Sequence, residues 1–134
     1  MGTVIPFRMR REAAILLLLT CLVLVFASCK KTEPEPDWAS IIEGTYTGTV
    51  TTGSTTVSGT TSLVRYTSTK ADMYIAAGSH TLNINGVRIT SSGNDIYYLT
   101  YSLAGNTLAG NVNGDLLTYT LTSGTLNGTF TGSR

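Results

Sequence analysis

The sequence predicts an all-β domain over residues 41–134. This region is rich in Thr, Ser, Gly and Tyr, contains no proline and has no long run of helix-forming residues. Apolar side chains alternate with polar ones, as at Tyr97, Leu99 and Tyr101, which is the pattern of a strand with one buried face. Turn-forming pairs such as Asn113-Gly114 separate the alternating runs. These features predict an antiparallel up-and-down arrangement of about eight short strands. The inward glycines described below favour its closure into a single β-barrel, with a β-sandwich as the alternative.

Each predicted strand is one alternating run between two turns, and the runs number seven or eight. For eight strands the boundaries are residues 44–52, 55–66, 71–77, 80–90, 95–103, 107–112, 116–122 and 125–131. In the fourth strand, Leu82 and Ile84 share one face, whereas Val87 and Ile89 share the other. A β-bulge or a turn at Gly86 would insert one residue and return these four side chains to the same face.

Three strands carry a glycine between two apolar residues of the same phase. These glycines are Gly48, Gly110 and Gly128, and the phase places each of them on the inward face. Because glycine weakens a strand interior, its repeated use there predicts sites where the sheet coils sharply or another backbone comes close.

The first 28 residues have the composition of a cleaved signal peptide. Three arginines among residues 8–11 precede an apolar run over 13–27 that is shorter than the ~20 residues needed to span a bilayer. Residues 25–29, Val-Phe-Ala-Ser-Cys, resemble the lipobox of bacterial lipoproteins, in which a lipid is attached to the cysteine. This resemblance implies lipidation at Cys29. The alternative is an uncleaved anchor in which Cys29 is an ordinary thiol.

Residues 29–40 are predicted to be the lipidated cysteine and a flexible tether. Lys30 to Asp37 includes two prolines and no aliphatic side chain, so it cannot bury enough apolar area to order itself. Lys30 after the cysteine resembles outer-membrane lipoproteins, because Asp there is the usual signal for retention at the inner membrane. We therefore expect a lipid anchor to a membrane of the cell envelope, namely the outer membrane of a Gram-negative bacterium.

The start of the domain resembles a known family. Gly44-Thr45-Tyr46 is similar to the Gly-x-Trp signature of lipocalins and their calycin relatives, with Tyr46 in place of the tryptophan. The closing residues 130–134 resemble the ends of small lipocalin-like bacterial lipoproteins. The resemblance implies a barrel, an Arg134 side chain that packs across Tyr46, and a small apolar or amphipathic ligand.

The inward phase also predicts which side chains line a ligand cavity or fill the core. They are Tyr46, Tyr97, Leu99, Tyr101, Tyr119 and Phe130. An eight-stranded barrel is only wide enough for its own side chains or one small ligand. Two functions therefore remain open: a membrane-tethered lipocalin-like binding lipoprotein, and a non-catalytic structural or protein-interaction lipoprotein with a filled barrel. A cavity of ~300 Å³ or more, lined by tyrosines and aliphatics, would favour the first.

Composition argues against several other classes. His80 is the only histidine, and no Gly-x-Ser-x-Gly nucleophile motif accompanies it, so we expect no enzyme activity. Cys21 leaves with the signal peptide and Cys29 carries lipid, which leaves too few ligands for a zinc site. Lys and Arg form no cluster that could neutralise phosphates, so we expect no nucleic-acid partner. We also expect neither a cofactor nor a bound metal.

Overall fold

Eight antiparallel strands close into a barrel in which each strand pairs with its neighbours along the chain and the first pairs with the last. The strands are β1 Gly44–Thr52, β2 Thr55–Thr67, β3 Lys70–Ala77, β4 His80–Ser91, β5 Ile96–Leu103, β6 Asn106–Asn113, β7 Leu116–Thr122 and β8 Gly128–Ser133. The barrel prediction is confirmed. The pairing of β1 with β8 rules out the alternative of two separate sheets.

The computed structural model describes Ile15, Leu19 and residues 33–134. The predicted signal peptide, the lipobox with Cys29 and the first part of the tether therefore lie outside the described residues or have only isolated positions within them. Glu35–Arg134 forms one unit, which contains the barrel. In the described part of the chain, no helix has the length and apolar character needed to cross a membrane.

The barrel has two different ends. At the helix end lie the β2–β3, β4–β5 and β6–β7 connections, the C-terminus and a short helix, α1, Trp38–Ile42. At the other end, which we call the mouth, lie the β1–β2, β3–β4 and β5–β6 turns and the β7–β8 loop. Within Glu35–Arg134, the chain enters the barrel at the helix end.

The helix α1 begins inside the segment predicted to be a tether. Asp37 caps it by accepting a hydrogen bond from the Ser40 amide at 3.2 Å, and Arg65 pairs with the same carboxylate at 2.9 Å. Ala39 and Ile42 are fully buried. The folded domain therefore starts before the predicted boundary at residue 41, because the capped turn lets these two apolar side chains pack on the barrel.

The bulge in β4 is confirmed. One extra residue lies in β4 between Ile84 and Val87, where the β3–β4 register shifts. Gly86 supplies it with a left-handed φ of +77°, and its amide donates to the Asp72 carboxylate at 2.9 Å. Ile84, Val87 and Ile89 consequently all point into the core.

The inward glycines mark close backbone approaches, as predicted. A Cβ on Gly48 would overlap the carbonyl oxygen of Thr131 and the Cα of Gly132 in β8. Gly48 is also the direct partner of both Gly59 in β2 and Gly132, so three glycines lie side by side across three strands. This row of glycines lets the sheet coil tightly where β8 closes against β1. Gly110 serves similarly, since a Cβ there would overlap the β7 backbone.

The last strand begins later than predicted. The Ser123 hydroxyl oxygen accepts from the amides of Thr125 and Leu126 at 3.2 and 2.9 Å, and the Asn127 side chain accepts from the Ser123 amide at 2.6 Å. These side-chain bonds give the backbone an alternative to the ladder. The predicted strand 125–131 is therefore wrong at its start, and β8 begins at Gly128.

Candidate ligand site

The barrel interior is packed with side chains. Of the six predicted lining residues, Tyr46, Leu99, Phe130, Tyr119 and Tyr97 are buried and belong to the core, whereas Tyr101 is only partly buried. The interior of an eight-stranded barrel is just wide enough for such side chains to fill it. A ligand can therefore enter this part of the interior only by displacing these core side chains.

The hydroxyl groups of Tyr46 and Tyr119 in the interior already have partners. Tyr119 stacks on Phe130 with the ring centroids 5.1 Å apart, and its hydroxyl lies 2.7 Å from the Thr61 hydroxyl. Burial raises the pKa of Tyr119 to about 12, although the Thr61 hydrogen bond acts in the opposite direction. Among the described residues, no buried side-chain nitrogen or oxygen lacks a hydrogen-bond partner. These hydrogen-bonded hydroxyl groups therefore stabilise the barrel and are not available to a ligand.

Tyr46 closes the helix end. Its hydroxyl donates to the Ile42 carbonyl at 2.7 Å, and burial raises its pKa. The Arg134 guanidinium lies over the Tyr46 ring, 5.5 Å from the centroid, and donates to the carbonyls of Glu43 and Ile41 at 2.8 and 3.1 Å. The packing of Arg134 across Tyr46 is as the resemblance implied. It ties the C-terminus to α1, so this end is shut.

The mouth contains a pocket of about 550 Å³. It lies between the β1–β2 turn, the β3–β4 turn and the β7–β8 loop. The side chains that shape it are Thr52, Thr55, Val57, Ala77, His80 and Leu126. Those on the strands continue the inward phase of the core: Thr52 follows Val50, and Val57 pairs with Val50. The pocket is therefore the unfilled top layer of the barrel interior.

The six predicted lining residues do not border the mouth pocket. Tyr101 instead borders a second pocket in the barrel wall. The mouth residues were missed because Val57 and Leu126 belong to segments that the sequence shows only as ordinary strand positions. One signal was present in the sequence. Val57 lies in the inward-facing phase of its strand, beyond the part of that strand that is buried in the core.

The mouth carries no Lys, Arg, Asp or Glu. Within Glu35–Arg134 these residues are absent from four long segments, which are 44–64, 73–87, 96–114 and 116–133. These segments contain all four mouth connections, so the charged side chains of the barrel lie toward the helix end. Among the described residues, His80, exposed on the rim, is the only basic or acidic side chain that borders the pocket.

The described residues also bear on metal binding and catalysis. Within them, no group of three or more His, Cys, Asp and Glu side chains is arranged to hold a metal ion. His80 has no acidic residue beside it in the pocket lining. The expectations of no metal and no enzyme activity remain predictions.

Comparison with known proteins shows the fold and little else. No family model matches the chain, and no curated protein is similar to it. The structure is similar to the crystal structure of a putative outer membrane protein from Bacteroides fragilis, with 18% sequence identity and a TM-score of 0.58. The match covers 72% of this chain and 52% of that protein, so the chain spans about half its length. At this identity the likeness is one of fold.

Proposed function

We propose that this protein is a lipid-anchored envelope protein whose barrel binds a small, uncharged, amphipathic molecule at its mouth. The lipobox-like residues 25–29 support the anchor, and the similar Bacteroides fragilis protein is named for the outer membrane. The observation that carries the binding function is the mouth pocket itself. Its volume of about 550 Å³ falls in the range of about 300 to 1,000 Å³ for small-molecule sites.

The packed interior restricts where a ligand sits. Because the tyrosine and phenylalanine rings fill the barrel below the pocket, a ligand contacts Val57, Ala77 and Leu126 with its apolar part. The Thr55 hydroxyl is available for its polar part, whereas the Thr52 hydroxyl donates to the Asn127 carbonyl. The predicted lining residues then support the floor of the site and do not touch the ligand.

The absence of Lys, Arg, Asp and Glu among the described residues at the mouth defines the class of ligand. Moving a charged group out of water is costly unless an opposite charge accompanies it. Among the described residues, the mouth offers hydroxyls, amides and aliphatic carbons, and none of the residues that line its pocket is a Lys, Arg, Asp or Glu. A neutral molecule loses little by entering, whereas a carboxylate or an ammonium group gives up its hydration without a partner.

The filled interior also favours a second candidate, a non-catalytic protein-interaction lipoprotein. Its contact surface would be the outer face of β7, β8, β1 and β2, where threonines face each other across strands. Examples are the hydroxyl pairs Thr51–Thr56 at 3.1 Å and Thr120–Thr129 at 3.3 Å. In that case the mouth pocket has no ligand.

A pair of matched fluorescent probes tests the proposal. N-phenyl-1-naphthylamine is neutral, and 1-anilinonaphthalene-8-sulfonate has the same rings with a sulfonate added. We expect the purified protein to bind the neutral probe at the mouth and to bind it more tightly than the sulfonate. If the neutral probe does not bind, the ligand-binding function is wrong and the interaction candidate stands.

A variant with a charged side chain in the mouth tests whether the probes bind there. Val57→Lys puts an ammonium group in the pocket, so the neutral probe should bind more weakly and the sulfonate more tightly. Val64→Lys is the control: it lies on the same strand with similar exposure but on the outer face, opposite Asp72. It should change neither affinity. Equal effects of the two variants would place the probe outside the mouth.

A further inference from the structure

The barrel wall has a gap between β4 and β5. Their ladder is the shortest of the eight, running only from Arg88 opposite Thr100 to Ser91 opposite Tyr97. Beyond Arg88, the bulge at Gly86 interrupts β4, and residues 101–103 of β5 lie outside this ladder although they pair with β6. Backbone groups of residues 101–103 that point toward β4 therefore have no ladder partner.

A pocket of about 520 Å³ occupies this gap. Its lining includes Lys70, Asn85, Gly86, Arg88, Tyr101 and Ser102. The pocket is separate from the mouth pocket, with which it shares no residue. Its lining includes two cations, whereas the described residues that line the mouth pocket include no Lys, Arg, Asp or Glu.

The two cations of this wall pocket are direct neighbours. Lys70 and Arg88 are register partners across β3 and β4, and like charges opposite each other destabilise a sheet. In the described part of the chain, neither of them belongs to an ion pair. The acid nearest along β3, Asp72, has one carboxylate oxygen engaged by the Gly86 amide at 2.9 Å.

The other two cations of the barrel are arranged differently. Arg65 is paired with Asp37 at 2.9 Å, and Arg134 with Asp115 at 3.2 Å. The two cations without an ion-pair partner are thus the two that flank the gap. The protein keeps an unfavourable charge pair at the place where its wall opens and where hydrogen-bonding groups are exposed.

We propose that the wall pocket binds a small anion that carries a carboxylate or phosphate group. Lys70 and Arg88 neutralise the anion, and its presence removes their mutual repulsion. The Asn85 amide, the Ser102 hydroxyl and the free β5 backbone groups offer hydrogen bonds to its oxygens. This site is independent of the neutral-ligand site at the mouth. The barrel therefore has one site for a neutral ligand and a second site for an anion.

Inorganic phosphate and acetate, titrated separately into the purified protein, test this site. With ionic strength held constant by sodium chloride, either anion should shift the amide NMR signals of residues 85–88 and 100–103. The response to phosphate against acetate tells which group the site prefers. If neither anion shifts these signals beyond the chloride control, the proposal is overturned.

Variants assign the effect to the two cations. In Lys70→Gln/Arg88→Gln we expect the anion affinity to fall about tenfold or more, as for the loss of charge-assisted hydrogen bonds. Arg65→Gln, which removes a cation already paired with Asp37, is the control and should bind the anion as the wild type does. An unchanged affinity in the double variant would contradict the proposal.

Stability gives a second readout that needs no ligand. In low salt, Lys70→Gln removes a like-charge neighbour and should raise the thermal midpoint, whereas Arg65→Gln removes an ion pair and should lower it. High salt should diminish both shifts, because it screens the charges. A fall in the midpoint of Lys70→Gln would mean that Lys70 is already neutralised, which the proposal does not allow.

Discussion

Replacement of Gly48 tests the tight closure of the barrel. The residue is inward in β1 between Tyr46 and Val50, and it faces Gly132 across the β1–β8 seam. A Cβ there would overlap backbone atoms of β8, which cannot swing aside as a side-chain end can. On strand propensity alone, Gly48→Val should stabilise the domain. We expect the opposite sign.

The size of the expected loss of stability depends on which atoms the new side chain must displace. Overpacking of a core costs about 1 to 3 kcal/mol, and here the obstacle is backbone, so we expect about 3 kcal/mol or more for Gly48→Val. Gly48→Ala already adds the overlapping Cβ and should lose a similar amount. In urea unfolding followed by tryptophan fluorescence, this corresponds to a midpoint lowered by at least about 1 M.

The control lies next to it in the same strand. Thr49 is exposed on the outer face, so Thr49→Val should be nearly neutral. If Gly48→Val unfolds at the same urea concentration as the wild type or a higher one, Gly48 does not sit against the β8 backbone. The glycine row would then not be the device that closes the barrel.

Four further predictions follow from three single groups, Cys29, Tyr119 and Asp37. Cys29→Ser should release the protein from membranes, because acyl chains contribute ~0.8 kcal/mol per buried methylene; retention in the membrane fraction would refute the anchor. Tyr119→Phe should cost about 1 to 3 kcal/mol by leaving the Thr61 hydroxyl buried without its partner, and Thr61→Val added to it should recover part of that loss in urea unfolding. The pKa of Tyr119 is raised to about 12, so the unfolded tyrosine ionises first; stability should fall from about pH 10 upward, less so in Tyr119→Phe. The pKa of Asp37 is lowered by its hydrogen bonds with Arg65 and Ser40, so its contribution should be lost as the pH falls below about 4, and Asp37→Asn should flatten that acid limb of a thermal-melting profile.

Local patterns in the sequence were sufficient for most of the barrel. A strand with one buried face repeats every two residues, so its boundaries and its faces can be read along the chain. The bulge at Gly86 was predictable because the apolar phase changes across it. The start of β8 was not, since the Ser123 and Asn127 side chains compete with the ladder only when the loop has closed on itself.

The sequence by itself determined the all-β class, the inward face of several strands and the absence of charges along four long segments, whereas the choice of a closed barrel over a sandwich was decided by the pairing of β1 with β8. Only the tertiary structure decided that Tyr46, Tyr97 and Tyr119 fill the core while Val57 and Leu126 line the mouth. It also decided that the uncharged segments meet at one end and that Lys70 stands opposite Arg88. The physical reason is that closure and the stagger between strands set the height of each side chain in the barrel. That height depends on pairings between residues far apart in the chain, which no local pattern encodes.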